Sequence, residues 1–399
     1  MTRTTTFLLF LLVMLAVFGG MHFYLWTRLA RDTGLPEAGR RAAAIFLALA
    51  AVAVPAGMIV ARRLPFRTTR ALAAVLYTWM GAAFLLFCAV LAADLLRLAA
   101  AGARWAIDLA ANRTPEPADP SRRLFVARAV AGGALLAAGG ATARAVRSAT
   151  GEPEVKEVPV RLRRLPPQLS GFTLAQISDL HVGPTIGEKE VRRVVDLTNG
   201  LRPDAIVITG DLVDGTVPEL RRATEHLARL RAPHGVYFVT GNHEYYAGVR
   251  PWLAELRRLG IRTLGNERAV LGDRGPGGAS IDLAGVDDWS VAHGEDGRWP
   301  ALEDALRGRD PDRSLVLLAH QPRGVPEAVS SGVELQLSGH THGGQIFPWS
   351  LVVGAVYPYS RGLYRHGDGH VYVSCGTGFW GPPMRLGAPS EVAKIVLTT

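Results

Sequence analysis

Apolar and polar positions fall into two regimes along this chain. In the first hundred residues the apolar pattern is continuous rather than periodic: Phe7–Trp26, Ala42–Ala61 and Ala71–Ala93 contain no Asp, Glu, Lys or Arg. Crossing a bilayer takes about 20 apolar residues in a helix, and three such runs in succession are rare in soluble cores. The pattern predicts three membrane-spanning helices. A fourth apolar stretch, Ala129–Ala143, lies between Arg128 and Arg144 and is short for a span. Residues 144–168 are rich in charge and proline and read as a linker. From Gly171 the pattern changes to short β-rich runs alternating with amphipathic stretches. Phe172–Ile177, Ala205–Thr209 and Gly235–Thr240 read as buried strands, and Glu188–Asn199 and Pro218–Leu230 as helices with apolar residues three and four apart. Strand–helix–strand units of this length imply right-handed crossovers and parallel pairing. Ile281–Val286, Leu315–Ala319, Leu335–Ser338, His370–Ser374 and Val392–Leu397 have fewer helices between them, which favours a mixed α/β sandwich over a purely parallel sheet.

Charge sharpens the reading of the N-terminal region. The 399-residue chain has a net charge of +9, yet residues 1–150 hold 17 Lys and Arg against 6 Asp and Glu, and the remainder holds 27 against 29. The excess sits between apolar runs, so membrane topology accounts for it better than nucleic-acid binding. Arg28, Arg31, Arg40 and Arg41 follow the first run, and Arg97, Arg104, Arg113, Arg122 and Arg123 follow the third. Arg3, then Arg62, Arg63, Arg67 and Arg70, then Arg144 and Arg147 fall on the other side. Nine against seven places the first set in the cytoplasm and the C-terminal region outside it. Ser121-Arg122-Arg123-Leu124-Phe125-Val126, followed by the modest apolar stretch and the small-x-small Ala141-Thr142-Ala143, looks like a twin-arginine export signal. A short fourth membrane helix with basic flanks fits the same residues, and both readings put the chain beyond residue 144 opposite Arg122 and Arg123. His22, an ionisable residue within the first run, invites a functional reading; its place near the end of the segment lets it reach the interface. Cys88 and Cys375 lie far apart and suggest neither a disulfide framework nor a thiolate metal site.

The chemistry-bearing residues sit where the C-terminal strands end. Ser178-Asp179-Leu180-His181 follows the first strand, Gly210-Asp211-Leu212-Val213-Asp214 the second, and Gly241-Asn242-His243-Glu244 the third. His320 follows Leu315–Ala319, and Gly339-His340-Thr341-His342 follows Leu335–Ser338. The carboxyl edge of α/β strands is where such folds place their sites. Any one fragment reads more simply as a polar loop; five in order, all at strand ends, point to a shared site. Oxygen and imidazole donors without thiolate suit Mn, Fe, Co, Ni or Zn. A carboxylate can bridge two such ions, and a pair of ions polarises a phosphoryl oxygen and acidifies a bound water.

Asp179-x-His181, Gly210-Asp211-x-x-Asp214, Gly241-Asn242-His243-Glu244, His320 and Gly339-His340-x-His342 together resemble the calcineurin-like metallophosphoesterase superfamily over roughly residues 170–399. The resemblance implies a four-layer α/β/β/α sandwich, here preceded by an all-α transmembrane region. It implies two divalent metal ions, with Asp179, His181 and His342 on one, Asn242, His320 and His340 on the other, and Asp211 bridging both. It also implies a metal-bridged hydroxide as nucleophile, His243 as proton donor or phosphate contact, and Asp214 as its orienting partner. Gly343-Gly344-Gln345, Tyr359-Ser360-Arg361-Gly362-Leu363-Tyr364 and Met384-Arg385 are similar to a bacterial membrane-associated or twin-arginine-exported subgroup. Arg361 or Arg385 is expected near the substrate, because guanidinium pairs well with phosphate; a structural ion pair is the plain alternative for each.

His226, His234, His293, His366 and His370 lack motif context and read as exposed or turn histidines, and Asp287-Asp288 as a solvated loop or structural pair. The expected organisation is a transmembrane region over residues 1–120, a twin-arginine-like segment or fourth helix plus linker over 121–168, and a phosphoesterase domain over 169–399. The expected activity is hydrolysis of a phosphate ester, on location a lipid-linked or cell-envelope one, by a multi-pass protein of a bacterial membrane with its catalytic domain extracytoplasmic. The membrane and, through Arg122 and Arg123, the twin-arginine export machinery are the expected partners; nucleic acid is not. Two rivals stand beside this reading. One is a metal-bound but inactive binding module, against which no ligand position is missing. The other is a transporter or sensor with an appended domain, against which the apolar runs hold few polar residues.

Overall fold

The computed structural model describes residues 3–61, 66–113, 119–273, 278–290 and 300–399. Arg62, Arg63 and His293 lie outside them. The chain divides into two compact units, Met1–Val146 and Arg147–Thr399.

The first unit is helical. α1 (Arg3–Trp26) runs into a π-helical turn (Thr27–Arg31), followed by α2 (Glu37–Ala61), α3 (Phe66–Ala110) and α4 (Pro120–Thr150). All four are long and apolar enough to cross a membrane. Each expected apolar run lies inside one helix, but α3 continues well past Ala93, so much of the expected third loop is helical. α4 is one helix of 31 residues that takes in Ser121-Arg122-Arg123 as well as Ala129–Ala143. Leu25, Leu47, Ala83, Val90 and Ala134 form the packed centre of this unit. His22 is buried among the helices. It is 2% exposed, its Nδ1–H donates to the Phe18 carbonyl at 2.8 Å, and its Nε2 accepts from the Trp79 indole at 3.1 Å. A buried indole N–H needs an acceptor, and His22 supplies it.

Among the described residues the second unit holds two six-stranded sheets. The first has the order β1 (Glu154–Arg161), β12 (Glu391–Thr398), β2 (Thr173–Ile177), β3 (Ala205–Thr209), β4 (Val236–Val239) and β5 (Arg262–Thr263). The second has the order β10 (Gly362–His366), β11 (Gly369–Val373), β9 (Leu335–Ser338), β8 (Leu315–Leu318), β7 (Ser280–Gly285) and β6 (Glu267–Gly272). β2 to β5 are parallel, as are β7, β8, β9 and β11; the antiparallel pairs are β12 with β2, β10 with β11, and β6 with β7. The inner faces close on one core, with Leu174, Val207 and Ile395 from one sheet against Leu283, Val316 and Leu337 from the other.

Every residue of β3 is buried, the mark of a strand covered on both faces. Its outer face lies under the crossover helices α5 (Glu188–Gly200), α6 (Val217–Thr224) and α8 (Val249–Arg258), since consecutive right-handed crossovers fall on one side. α5 buries Val191, Val194 and Val195, spaced three and four apart. α9 (Leu302–Leu306) and α10 (Val325–Ser330) cover the second sheet, where Ala305 and Ala328 pack on Leu315 and Leu317. Two short helices, α7 (Asn242–Ala247) and α11 (Trp349–Val356), complete the unit. This is a four-layer α/β/β/α sandwich after a region of apolar helices.

The stretch read as a linker is corrected in part. Its residues 154–161 form β1, paired in parallel with β12 over its whole length, with Val158 and Val160 in the inter-sheet core. Alternation of Glu154, Lys156 and Glu157 with valines disguises a half-buried edge strand as a charged connector. Val160→Asp is therefore expected to cost about 3 kcal/mol or more, and Glu157→Gln about 1 kcal/mol at most, in chemical denaturation. A linker would tolerate both alike.

Candidate metal centre

The chemistry-bearing residues lie in turns that leave strand ends. Asp179 and His181 follow β2, Asp211 and Asp214 follow β3, and Asn242 and His243 open α7 after β4; His320 follows β8, and His340 and His342 follow β9. Three loops thus come from one sheet and two from the other, and the sandwich brings them to a common edge. The turns are tight. Asp179, His181, Asp211, His340 and His342 all have left-handed φ, between 50° and 72°, a conformation that side-chain-bearing residues hold only when their surroundings enforce it. Gly241 and Gly339 permit the close approach: a Cβ at Gly241 would run into Asp211, and one at Gly339 into Ser178 and Asp179.

The donor atoms gather into three overlapping groups. Asp179, His181 and His342 form one, His181, Asp211 and His243 a second, and Asp211, His320 and His340 a third, the donor atoms of each lying within 4.8 Å of one another. Asn242 Oδ1 joins the last at 3.0 Å from His340 Nδ1. Hydrogen bonds fix three of the rings. His181 and His243 donate their Nδ1–H to the same Asp214 oxygen at 3.0 and 2.6 Å, and His320 donates to the Thr209 carbonyl at 2.7 Å. A proton held at Nδ1 leaves the Nε2 lone pair facing inward. His181 Nε2 lies 3.0 Å from His342 Nε2, and His320 Nε2 lies 3.2 Å from Asp211 Oδ2. His320 Nε2 and Asp179 Oδ2 are buried without a hydrogen-bond partner. Lone pairs converging away from water fit a cation, and the set has the donors to hold one or two.

The electrostatics agree. Burial would raise the Asp211 carboxyl, but the surrounding His320, His243 and His181 rings hold it well below the usual carboxylate range. Burial opposes charge on His181, and Asp214 outweighs it, lifting the ring to about 9. Burial and the neighbouring His320 push His340 down to about 3, and burial with Arg385 keeps His342 neutral as well. Neutral rings offer free lone pairs, and proton-holding rings exchange protons for metal, so affinity should rise with pH.

The two candidate substrate arginines part company. Arg385 is corrected: it is 1% exposed, and its guanidinium donates to the carbonyls of His342, Cys375, Gly378 and Ala388 and packs 3.1 Å from His342 Nδ1. A guanidinium so occupied backs the His342 loop and has no face for a substrate. Arg361 is exposed, with Nη1 on the Gly387 carbonyl and its stem beside Gly343. Asp288 is no solvated loop residue. It is buried, accepts from Gln321 and the Ser290 amide, and braces the turn after β7. His226 pairs with Glu188, His234 packs on Phe172, and His366 bonds Tyr359.

Sequence reasoning gave Glu244 no role beyond its place in a motif. Its fully buried carboxylate accepts from the amides of Asp211, Leu212, Val213 and Gly241 at 2.6 to 3.3 Å, tying the β3 and β4 loops together. The aromatic rim was not legible either: Trp380 and Tyr246 flank His243, and Tyr357 flanks His340.

The family model for calcineurin-like phosphoesterases matches residues 172–344, which hold every donor of the three groups. A metallophosphoesterase of Helicobacter pylori is 38% identical over 280 residues, 70% of this chain and 73% of the relative. The chain belongs to the calcineurin-like metallophosphoesterase family. A second metallophosphoesterase, from Bacillus subtilis, is 31% identical over 293 residues, 69% of this chain and 97% of its own length. A transmembrane protein with metallophosphoesterase domain from Danio rerio is 40% identical over 255 residues, 61% of this chain, and the chain spans only 57% of it. Within this metallophosphoesterase domain, Glu244→Ala would leave four buried amides without an acceptor. The expected cost is about 3 kcal/mol in chemical denaturation, with lower metal occupancy by elemental analysis.

Proposed function

We propose that this protein is a metal-dependent hydrolase of phosphate esters built around a dinuclear centre. The reading rests on one observation above others: donor atoms of Asp179, His181, Asp211, His320, His340 and His342 gather in mostly buried groups, with Asp179 Oδ2 and His320 Nε2 left without a hydrogen-bond partner. In this reading Asp179, His181 and His342 hold one divalent ion, Asn242, His320 and His340 the other, and Asp211 both. Such ions would polarise the phosphoryl group and acidify a bound water. His243 holds Nδ1–H against Asp214 and presents Nε2 toward the centre; carrying a second proton there, it would donate to a phosphate oxygen or protonate the leaving group. Asp214 orients both His243 and His181, which couples the proton-handling ring to the metal-holding one. Asp211→Asn is expected to abolish turnover of a chromogenic phosphodiester with the far-UV circular dichroism unchanged. Chelation should do the same, reversibly on adding back Mn, Fe, Co, Ni or Zn; full activity after complete stripping sinks the reading.

The substrate we propose is a lipid-borne or other cell-envelope phosphate ester in a bacterium, which the four apolar helices support. Ser121-Arg122-Arg123 at the start of α4 supports our reading of the phosphoesterase domain as extracytoplasmic, whether α4 remains a span or is handed to the twin-arginine machinery. A phosphatase reporter fused after Thr399 should be active and a fluorescent-protein reporter dark; the reverse pair of signals places the domain in the cytoplasm.

A further inference from the structure

Residues 346–360, which begin four positions after His342, contain no Asp, Glu, Lys or Arg. At their centre α11 reads Trp-Ser-Leu-Val-Val-Gly-Ala-Val and buries none of its residues. Leu351 is 64% exposed and Val356 67%, with Phe347, Trp349 and Val352 each close to half exposed. A helix of ordinary packing buries an apolar stripe and wets a polar one. α11 has no polar face to wet, and an exposed apolar cluster of this kind marks an interaction surface.

The surface is continuous with the metal centre. Tyr357, the residue after α11, packs its ring edge-on with His340 at 5.9 Å between centroids, and its hydroxyl lies 3.4 Å from His340 Nε2. Gln345, just ahead of the uncharged run, exchanges two hydrogen bonds with the backbone of Trp380, and Trp380, 54% exposed, packs against His243 at 5.7 Å. Aromatic residues with an apolar body and a polar edge suit the headgroup boundary of a bilayer. Arg361 follows the uncharged run and is exposed, placed to meet anionic headgroups. The same chain carries four helices able to span a membrane, and three residues separate α4 from β1. A protein partner would be matched by a polar rim around an apolar centre; a helix apolar on all its open sides is matched by a medium.

We propose that α11 and the flanking Phe347 and Trp380 dip into the bilayer interface, so that a phosphate ester carried on a lipid reaches the metal centre without leaving the membrane, its tail lying along α11. The tail-bearing substrate rests on the phosphoesterase reading above; the bilayer contact does not.

The test uses the full chain in phosphatidylcholine–phosphatidylglycerol nanodiscs, with Cys88 replaced by Ala. An environment-sensitive fluorophore is placed by Val356→Cys and, as a control, by Asp368→Cys, whose side chain is 67% exposed. Spin-labelled lipid should quench the label at 356 about threefold more than that at 368, and aqueous iodide the reverse. Equal iodide quenching at both positions overturns the proposal. So does a label at 356 shielded from both quenchers, which would mean a second copy or a protein partner covers the helix. Leu351→Glu with Val356→Glu should slow hydrolysis of a vesicle-borne phosphate ester about tenfold or more and leave a soluble chromogenic ester within about twofold of wild type. Equal loss on both esters would make α11 merely structural and overturn the proposal. Hydrolysis of neither ester by the metal-loaded wild type removes the phosphoesterase reading and the substrate half with it, while the quenching still decides the bilayer half.

Discussion

Two imidazole nitrogens 3.0 Å apart, His181 Nε2 and His342 Nε2, face each other beside buried carboxylates. Nitrogens that close need a proton or a metal ion between them, and burial sharpens that need because the local dielectric is low. Much of the surrounding architecture serves to keep these groups together. Left-handed backbone at Asp179, His181, Asp211, His340 and His342 is the local strain of crowding donors into one place. Gly241 and Gly339 remove the side chains that would otherwise keep the loops apart. Glu244 binds the β3 and β4 loops through their amides, and Arg385 braces the His342 loop through its carbonyls. Two buried side chains, Glu244 and Arg385, thus hold the frame through backbone amides and carbonyls.

The two-sheet core makes that frame stiff enough to bear the strain. Strands buried on both faces cannot shift register without moving a whole set of side chains, so the loops at their ends inherit fixed starting points. β1, joined to β12 at the edge of the first sheet, extends the same core to residues directly after the apolar helices. Around the centre the chemistry changes from polar to apolar within a few residues: His340 meets Tyr357, His243 meets Trp380, and α11 continues outward with no charge. This apolar rim is the surface on which the proposed bilayer contact rests.

The central strands and the donor set were legible in the sequence because both are local patterns. Ala205–Thr209 coincides with β3, and Phe172–Ile177 and Leu335–Ser338 with β2 and β9 to within a residue. Elements whose stabilisation comes from elsewhere were not legible. β1 alternates charge with valine and is a strand because β12 lies beside it. His22, in an apolar run, finds Trp79 across 57 positions. Arg385 looked like a phosphate ligand and is a structural one, since the carbonyls that occupy it come from residues 342 to 388 folded around it.

By itself, then, the sequence determined the apolar helices, the sandwich class and which Asp, Asn and His residues stand at strand ends, because hydrophobic period and residue type are properties of short segments. Only the tertiary structure decided which donors share a group, which arginine is buried, and that Trp349–Val356 remains exposed. Those are questions of distance and solvent access between residues far apart in the chain, and no local pattern encodes them.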